Sequence, residues 1–206
     1  MEAVYLSTAY LGPVQYYCKL LSFDSVMMET NENYLKQTYR NRCIIATTNG
    51  TQQLSVPIEN PQTDKCLIRD IRISEHGNWR HLHWKALESA YGMSPFFDYY
   101  REYFAVFYER KHKFLFDLNE QLRLTVCELL DIQPNIHFTD DYQTAISNDF
   151  RYIIRPKYTG IDHFFEPQPY YQVFQTKYGF LPNLSIVDLL FNMGPESVLI
   201  LQHSVK

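Results

Sequence analysis

The sequence predicts an α+β fold in a single domain spanning residues 1–206, with a mixed or antiparallel sheet and helices packed on one face of it. Three observations carry this prediction. A β-branched run, Cys43-Ile44-Ile45-Ala46-Thr47-Thr48, meets Asn49-Gly50 and then the alternating Gln53-Leu54-Ser55-Val56, the pattern of a hairpin over residues 43–57. The middle of the chain repeats its apolar residues at spacings of three and four, the period of helices with one buried face. Near the end, Ser185 and Gly194-Pro195 bracket the apolar stripe Ile186, Leu189, Leu190 and Met193, which predicts a short helix over 186–193.

In chain order, Val4-Tyr5-Leu6 and Ser25-Val26-Met27-Met28 read as short strands, with a helix over Tyr10 to Leu21 and Gly12-Pro13 near its start. The Asn49-Gly50 dipeptide predicts a type I′ turn, because both residues tolerate positive φ. Leu67 to Ile73 alternates and reads as another strand. Asn78 is placed to cap a helix over 79–91 that stops at Gly92, and Ser94-Pro95 restarts one over about 95–110. On that second helix Phe96, Tyr100, Tyr103, Phe104 and Phe107 share a face. A third helix, over about 113–131, carries Leu115, Leu118, Leu122, Val126 and Leu129 at the same period and ends before Gln133-Pro134. Tyr152-Ile153-Ile154 suggests a last strand. Residues 163–183 are aromatic and proline-punctuated, which predicts ordered loop, and Asp188 sits in capping-box spacing from Ser185.

Composition narrows the function classes. With 206 residues the chain buries roughly 70% of its unfolded surface and needs no disulfide or metal to fold. The 17 tyrosines, 14 phenylalanines and 2 tryptophans point first to an aromatic core. A net charge of −4 argues against nucleic-acid binding, which needs a basic face. Cys18, Cys43, Cys66 and Cys127 are scattered without a C-x-x-C pair, so buried free thiols are expected, with neither disulfide nor zinc. No apolar run is long enough to span a membrane and no basic leader is evident, so a cytoplasmic location is expected.

The candidate site residues begin with Tyr39-Arg40-Asn41-Arg42. Two guanidiniums could hold a phosphate or carboxylate bidentately, with Arg151, Arg155 and Lys157 converging if the late strand joins the same sheet. A solvated strand flank explains the same cluster and is the commoner case. On an extended strand Arg40 and Arg42 would point to one face and Asn41 to the other. His83 lies on the inward face of the first middle helix beside Trp79, where it could act as general base or be a satisfied core histidine. His81 and His83 diverge on a helix, so no metal is expected, and no cofactor-binding motif occurs. Asp140-Asp141 and Asp149 are loop carboxylates, and Asp188 reads as a cap partner.

The landmarks YLGPVQYYCKL (10–20), YRNRCII (39–45), LSVPI (54–58), WRHLHWKALESAY (79–91), SPFF (94–97) and GFLPNLSIVDLLFNMGPE (179–196) resemble the WbqC-like proteins of bacteria along most of the chain. The resemblance implies a role in surface-polysaccharide (O-antigen type) biosynthesis, as a transferase or accessory factor acting on a nucleotide- or lipid-linked sugar. Arg40, Arg42, Arg151 and Lys157 would then hold the anionic part, Asn41, Tyr10 and Trp79 would shape the sugar site, and His83 would be the base. Other polysaccharide-biosynthesis proteins would be its partners. Many relatives carry His-Gln-Pro before the Tyr-Leu, where this chain has Leu6-Ser7-Thr8-Ala9. The alternative is a non-catalytic module that docks a protein through the aromatic 163–181 loop.

Overall fold

The computed structural model describes residues 3–60, 65–144 and 146–206. In chain order it contains β1 (Ala3–Ser7), α1 (Val14–Ser22), β2 (Ser25–Glu29), β3 (Arg42–Thr47), β4 (Gly50–Ser55), α2 (Trp79–Tyr91), α3 (Phe97–Glu109), α4 (Leu115–Leu129), β5 (Ile136–Phe138), α5 (Gln175–Tyr178), α6 (Ile186–Met193) and α7 (Ser197–His203). The α+β class stands. The strands, however, form two sheets. One is three-stranded and parallel, in the order β1-β2-β5, and the other is the β3–β4 hairpin alone.

The parallel sheet is dictated by the first 29 residues. Val4 and Leu6 alternate inward on β1, and Val26 and Met28 do so on β2. Ala3 pairs with Ser25 and Ser7 with Glu29 in parallel register. Parallel strands need a crossover, and α1 supplies it. It packs on α6 and α7, with its buried Cys18 thiol donating to the Leu201 carbonyl at 3.6 Å. The outer edge of β1 is covered by residues 148–150: the Tyr5 amide donates to the Asn148 carbonyl and the Phe150 amide to the Tyr5 carbonyl, both at 3.0 Å. β5 pairs only with β2, from Val26↔Ile136 to Met28↔Phe138.

The hairpin forms where expected, over 42–55, but its turn differs. Thr47 pairs with Gly50, and Gly50 has φ 100° while Asn49 is not left-handed. The turn therefore closes on one left-handed glycine and is not the two-residue type I′ form. Thr47 braces it, its hydroxyl accepting from the Asn49 amide at 3.2 Å and donating to the Gly50 carbonyl at 3.0 Å.

Two predicted strands are absent. Residues 67–73 form a 3-10 turn at Ile68–Asp70 flanked by isolated bridges, because Ile68, Ile71 and Ile73 are buried in a pattern no strand can supply. Residues 152–154 lie in turns. The middle helices and α6 form as predicted within a few residues at each end. Their predicted caps do not engage: Asn78 and Ser185 make no side-chain capping bond, and the Ser94 hydroxyl donates to the Tyr91 carbonyl at 2.6 Å. α2 packs on β3 and α3, and α3 on α4 and α6, so the helices join the hairpin to the α6 layer. Among the described residues no helix is long and apolar enough to cross a membrane.

Candidate functional site

The parallel sheet places the carboxyl ends of β1 and β2 side by side, the position where open α/β sheets build ligand crevices. Here the crevice is lined by Ser7, Thr8 and Ala9 after β1, by Tyr39 and Arg40, and by Phe150 and Arg151. Its free volume is about 10 Å³. That admits about one water-sized group. Thr8 is 1% exposed, and its hydroxyl has no hydrogen-bond partner among the described residues. Leaving such a group unpaired costs roughly 1–3 kcal/mol. Trp79 Nε1 and Asn41 Oδ1 are also unpaired, but neither residue lines the crevice.

Two buried arginines line the same crevice. Arg40 (2% exposed) lies in the turn before β3, not on the strand. Its Nε donates to Glu32 Oε1 at 2.7 Å, its Nη2 to Glu32 Oε2, and the same Nη2 to Ser7 Oγ at 2.7 Å. Ser7 Oγ in turn donates to Glu32 at 3.0 Å. Arg151 (1% exposed) donates from Nη1 to Glu29 at 2.6 Å, from Nε and Nη2 to Asp149 at 2.9 and 2.7 Å, and from Nη2 to the Gln143 carbonyl at 2.7 Å. Glu29 also accepts from Thr139 Oγ1 at 2.7 Å and from the Asn31 amide at 2.8 Å. Three carboxylates thus face two guanidiniums, a pairing that burial of any of these charges requires.

The anticipated convergence of Arg40 and Arg151 is present, although no strand brings it about. The rest of the cluster disperses. Extended backbone starts only at Arg42, so Arg40 and Arg42 do not share a strand face; Arg42 is half-buried and donates to Gln53 Oε1 at 3.0 Å across the hairpin, with its Nε unpaired among the described residues. Asn41 braces backbone, its Nδ2 donating to the Val56 carbonyl at 2.9 Å. Lys157 is exposed on a turn and does not line the crevice.

Tyr10, Trp79 and His83 do come together, inside the core. The Tyr10 hydroxyl is 2.9 Å from His83 Nδ1 and 2.8 Å from the Tyr108 hydroxyl, and the Trp79 and His83 ring centres are 5.1 Å apart. Burial lowers the His83 pKa to about 4, opposed by a hydrogen bond to the Ser55 backbone. Burial, together with Tyr108, pushes the Tyr10 phenol well up. His83, Tyr10 and Tyr108 form a neutral hydrogen-bonded chain against which Trp79 packs, and none of the four lines the crevice.

Asp188 is a second interior network and a correction to the capping-box reading. Its Oδ1 accepts from the Tyr91 hydroxyl at 2.9 Å, and its Oδ2 from the Tyr170 hydroxyl at 2.7 Å and Gln172 Nε2 at 2.9 Å. Burial raises its pKa, with those three donors opposing the shift. Ser185, the supposed cap, donates instead to the Leu11 carbonyl at 2.7 Å. The network anchors the aromatic loop, whose rings mostly turn inward. Phe164 packs on Phe23 and Phe150, and Tyr170 on Phe180. Of the residues that build the crevice, sequence reasoning passed over Glu29, Glu32, Ser7 and Thr8 as site members. The signal for the carboxylates was two acidic residues directly after an apolar strand, in Met28-Glu29-Thr30-Asn31-Glu32.

The structure defines a small parallel-sheet α+β protein with a closed polar crevice at its strand ends. Matches to known proteins give its kinship. The model of the WbqC-like protein family matches residues 8–162 and 157–200, and the chain belongs to that family. It is similar to the uncharacterized protein Rv1507c of Mycobacterium tuberculosis (strain ATCC 25618 / H37Rv), at 28% identity over 211 residues, covering 90% of this chain and 91% of the relative. No solved structure matches it significantly.

Proposed function

We propose that this protein acts in bacterial surface-polysaccharide (O-antigen type) biosynthesis, in the cytoplasm, as a transferase or accessory factor that handles a nucleotide- or lipid-linked sugar at the β1/β2 crevice. The observation that carries the site is Thr8: a buried hydroxyl without a partner, in a crevice also lined by two arginines whose carboxylates fix them in place. Hydroxyls flanked by fixed donors and acceptors suit a single sugar hydroxyl or amino group, the size of group the crevice admits. Three carboxylates against two guanidiniums disfavour a phosphate there, so the anionic carrier stays outside and Arg40 and Arg151 act on the sugar end. Ser7, Thr8 and Ala9 also occupy the stretch where the resemblance puts the His-Gln-Pro motif of relatives. Docking through the 163–181 loop has less to offer, since its rings are largely spent on packing and Tyr171 is the exposed exception.

Thermal-shift titration tests the reading, with a panel of nucleotide sugars, a lipid-pyrophosphate-linked sugar and the matching carriers without sugar. The wild type should be stabilised by at least one sugar-bearing compound and not by its bare carrier, and Thr8→Val should lose the response. A wild type indifferent to the whole panel, or a Thr8→Val variant that responds equally, overturns it.

A further inference from the structure

We propose that the groove between α4 and β5 is a second binding site, which takes an extended, basic segment of a partner protein as an added strand. The groove has a volume of about 720 Å³ and is lined by one side of α4 and by the returning chain 131–138. Its apolar lining includes Leu124 and Phe138, which are 58% and 51% exposed, with Ile132, Pro134 and Ile136 beside them. Exposed apolar side chains gathered around one groove are a mark of an interaction surface.

The backbone beside the groove gives the mode of binding. Asn135 and Thr139 make the ladder bonds to β2, the Val26 amide donating to the Asn135 carbonyl at 2.8 Å and the Thr139 amide to the Met28 carbonyl at 3.0 Å. Bonding residues alternate along a strand, so the N–H and C=O groups of Ile136 and Phe138 point away from β2. Among the described residues no strand or loop pairs with them. The opposite edge of the same sheet, on β1, is covered by residues 148–150. An open edge next to a helix-walled groove is the arrangement that accepts a peptide strand, with backbone bonds for affinity and alternate side chains in the groove for specificity.

Charge selects the occupant. Glu128 and Asp131 lie on the lining and are in no ion pair among the described residues, while Arg123 is neutralised by Glu120 at 2.8 Å. The groove is therefore net acidic and suits lysine or arginine interleaved with apolar residues. A second copy docking symmetrically would bring the same carboxylates face to face, which disfavours self-association here.

The test is fluorescence polarisation on the full chain with labelled octapeptides: one alternating valine and lysine, one alternating valine and glutamate, and the first N-methylated on either set of alternate residues. The valine–lysine peptide should bind and the valine–glutamate peptide should not. One N-methylated version should lose binding while the other keeps it, because only one edge of the peptide meets β5. Leu124→Glu, at an exposed site, should abolish binding. Glu128→Lys combined with Asp131→Asn, the asparagine chosen because Asp131 has φ 53°, should weaken it about tenfold. Equal binding of both charge types, binding by both N-methylated versions, or binding that survives Leu124→Glu overturns the proposal. So does a concentration-dependent dimer in sedimentation that Leu124→Glu disperses, since that assigns the groove to a second copy.

Discussion

The molecule buries polar groups in two ways. At the β1/β2 strand ends it buries charges, Arg40 with Glu32 and Arg151 with Glu29 and Asp149, and leaves one hydroxyl unanswered. Behind α2 and α6 it buries groups that satisfy one another: the Tyr10–His83–Tyr108 chain, and Asp188 held by Tyr91, Tyr170 and Gln172. The second kind pairs the hydroxyls, the imidazole and the carboxylate with one another, and its unpaired neighbours, Trp79 Nε1 and Asn192 Oδ1, line no part of the crevice. The first ends on an unpaired atom in a lined space, and such an atom is a liability unless something arrives to pair it. The difference marks the crevice, and not the histidine, as the place to look for function.

Removing one partner of a buried ion pair should have the largest effect. Arg151→Met leaves Glu29 and Asp149 facing each other unpaired, and should cost about 3–5 kcal/mol in urea unfolding. A loss under about 1 kcal/mol would mean that the crevice charges are solvated, and the contrast between the two regions would fail.

The next effect is acid sensitivity from His83. Its folded pKa of about 4 lies below the ordinary 6.5, so the unfolded chain takes up the proton first as the pH falls. The stabilisation it contributes above pH 6.5 is lost as the pH falls toward 4, roughly 3 kcal/mol in all. His83→Gln should flatten that part of the stability–pH profile. An unchanged slope would show that His83 is solvated, which would return it to the list of site candidates.

Asp188 should behave in the opposite sense. Its folded pKa lies above the ordinary 3.8, so its contribution is complete below pH 3.8 and fades as the pH rises through the folded value. Asp188→Asn keeps one oxygen, which can accept from Tyr91 or from Tyr170, and should remove this component of the profile. A profile identical to wild type would show that burial leaves Asp188 untouched. The smallest effect belongs to Arg42, half-buried on the hairpin and paired only with the neutral Gln53. Arg42→Ala should shift stability by less than about 1 kcal/mol in the same unfolding assay, and a larger loss would show that its guanidinium is held by more than that one bond.

Much of the fold was legible because it rests on local pattern. The 79–91 and 186–193 helices follow from apolar period and a Gly stop, and the hairpin from β-branched residues around a turn dipeptide. The strand pairing was not legible. Nothing local in Val4-Tyr5-Leu6 says that it will lie parallel to Ser25–Glu29 and apart from the hairpin. Residues 67–73 alternate like a strand, but their apolar side chains are placed by tertiary packing into a 3-10 turn. The crevice was half legible. Arg40 stood out by its neighbours and Arg151 as a possible partner. Glu29 and Glu32 matter through contacts across the fold, and the role of Thr8 lies in a bond it does not make. Asp188 misled because capping-box spacing on a surface helix and a buried acid on an interior one share the same sequence signature.

Thr8 is kept for a ligand at the expense of stability. Urea unfolding of the ligand-free wild type and Thr8→Val reads that expense, because valine matches the shape of threonine and removes only the hydroxyl. The variant should be more stable than the wild type, by about 1–3 kcal/mol, the cost of leaving the hydroxyl unpaired. A Thr8→Val variant less stable than the wild type by about 1 kcal/mol or more would show that the hydroxyl is bonded within the fold and is not held open for a ligand.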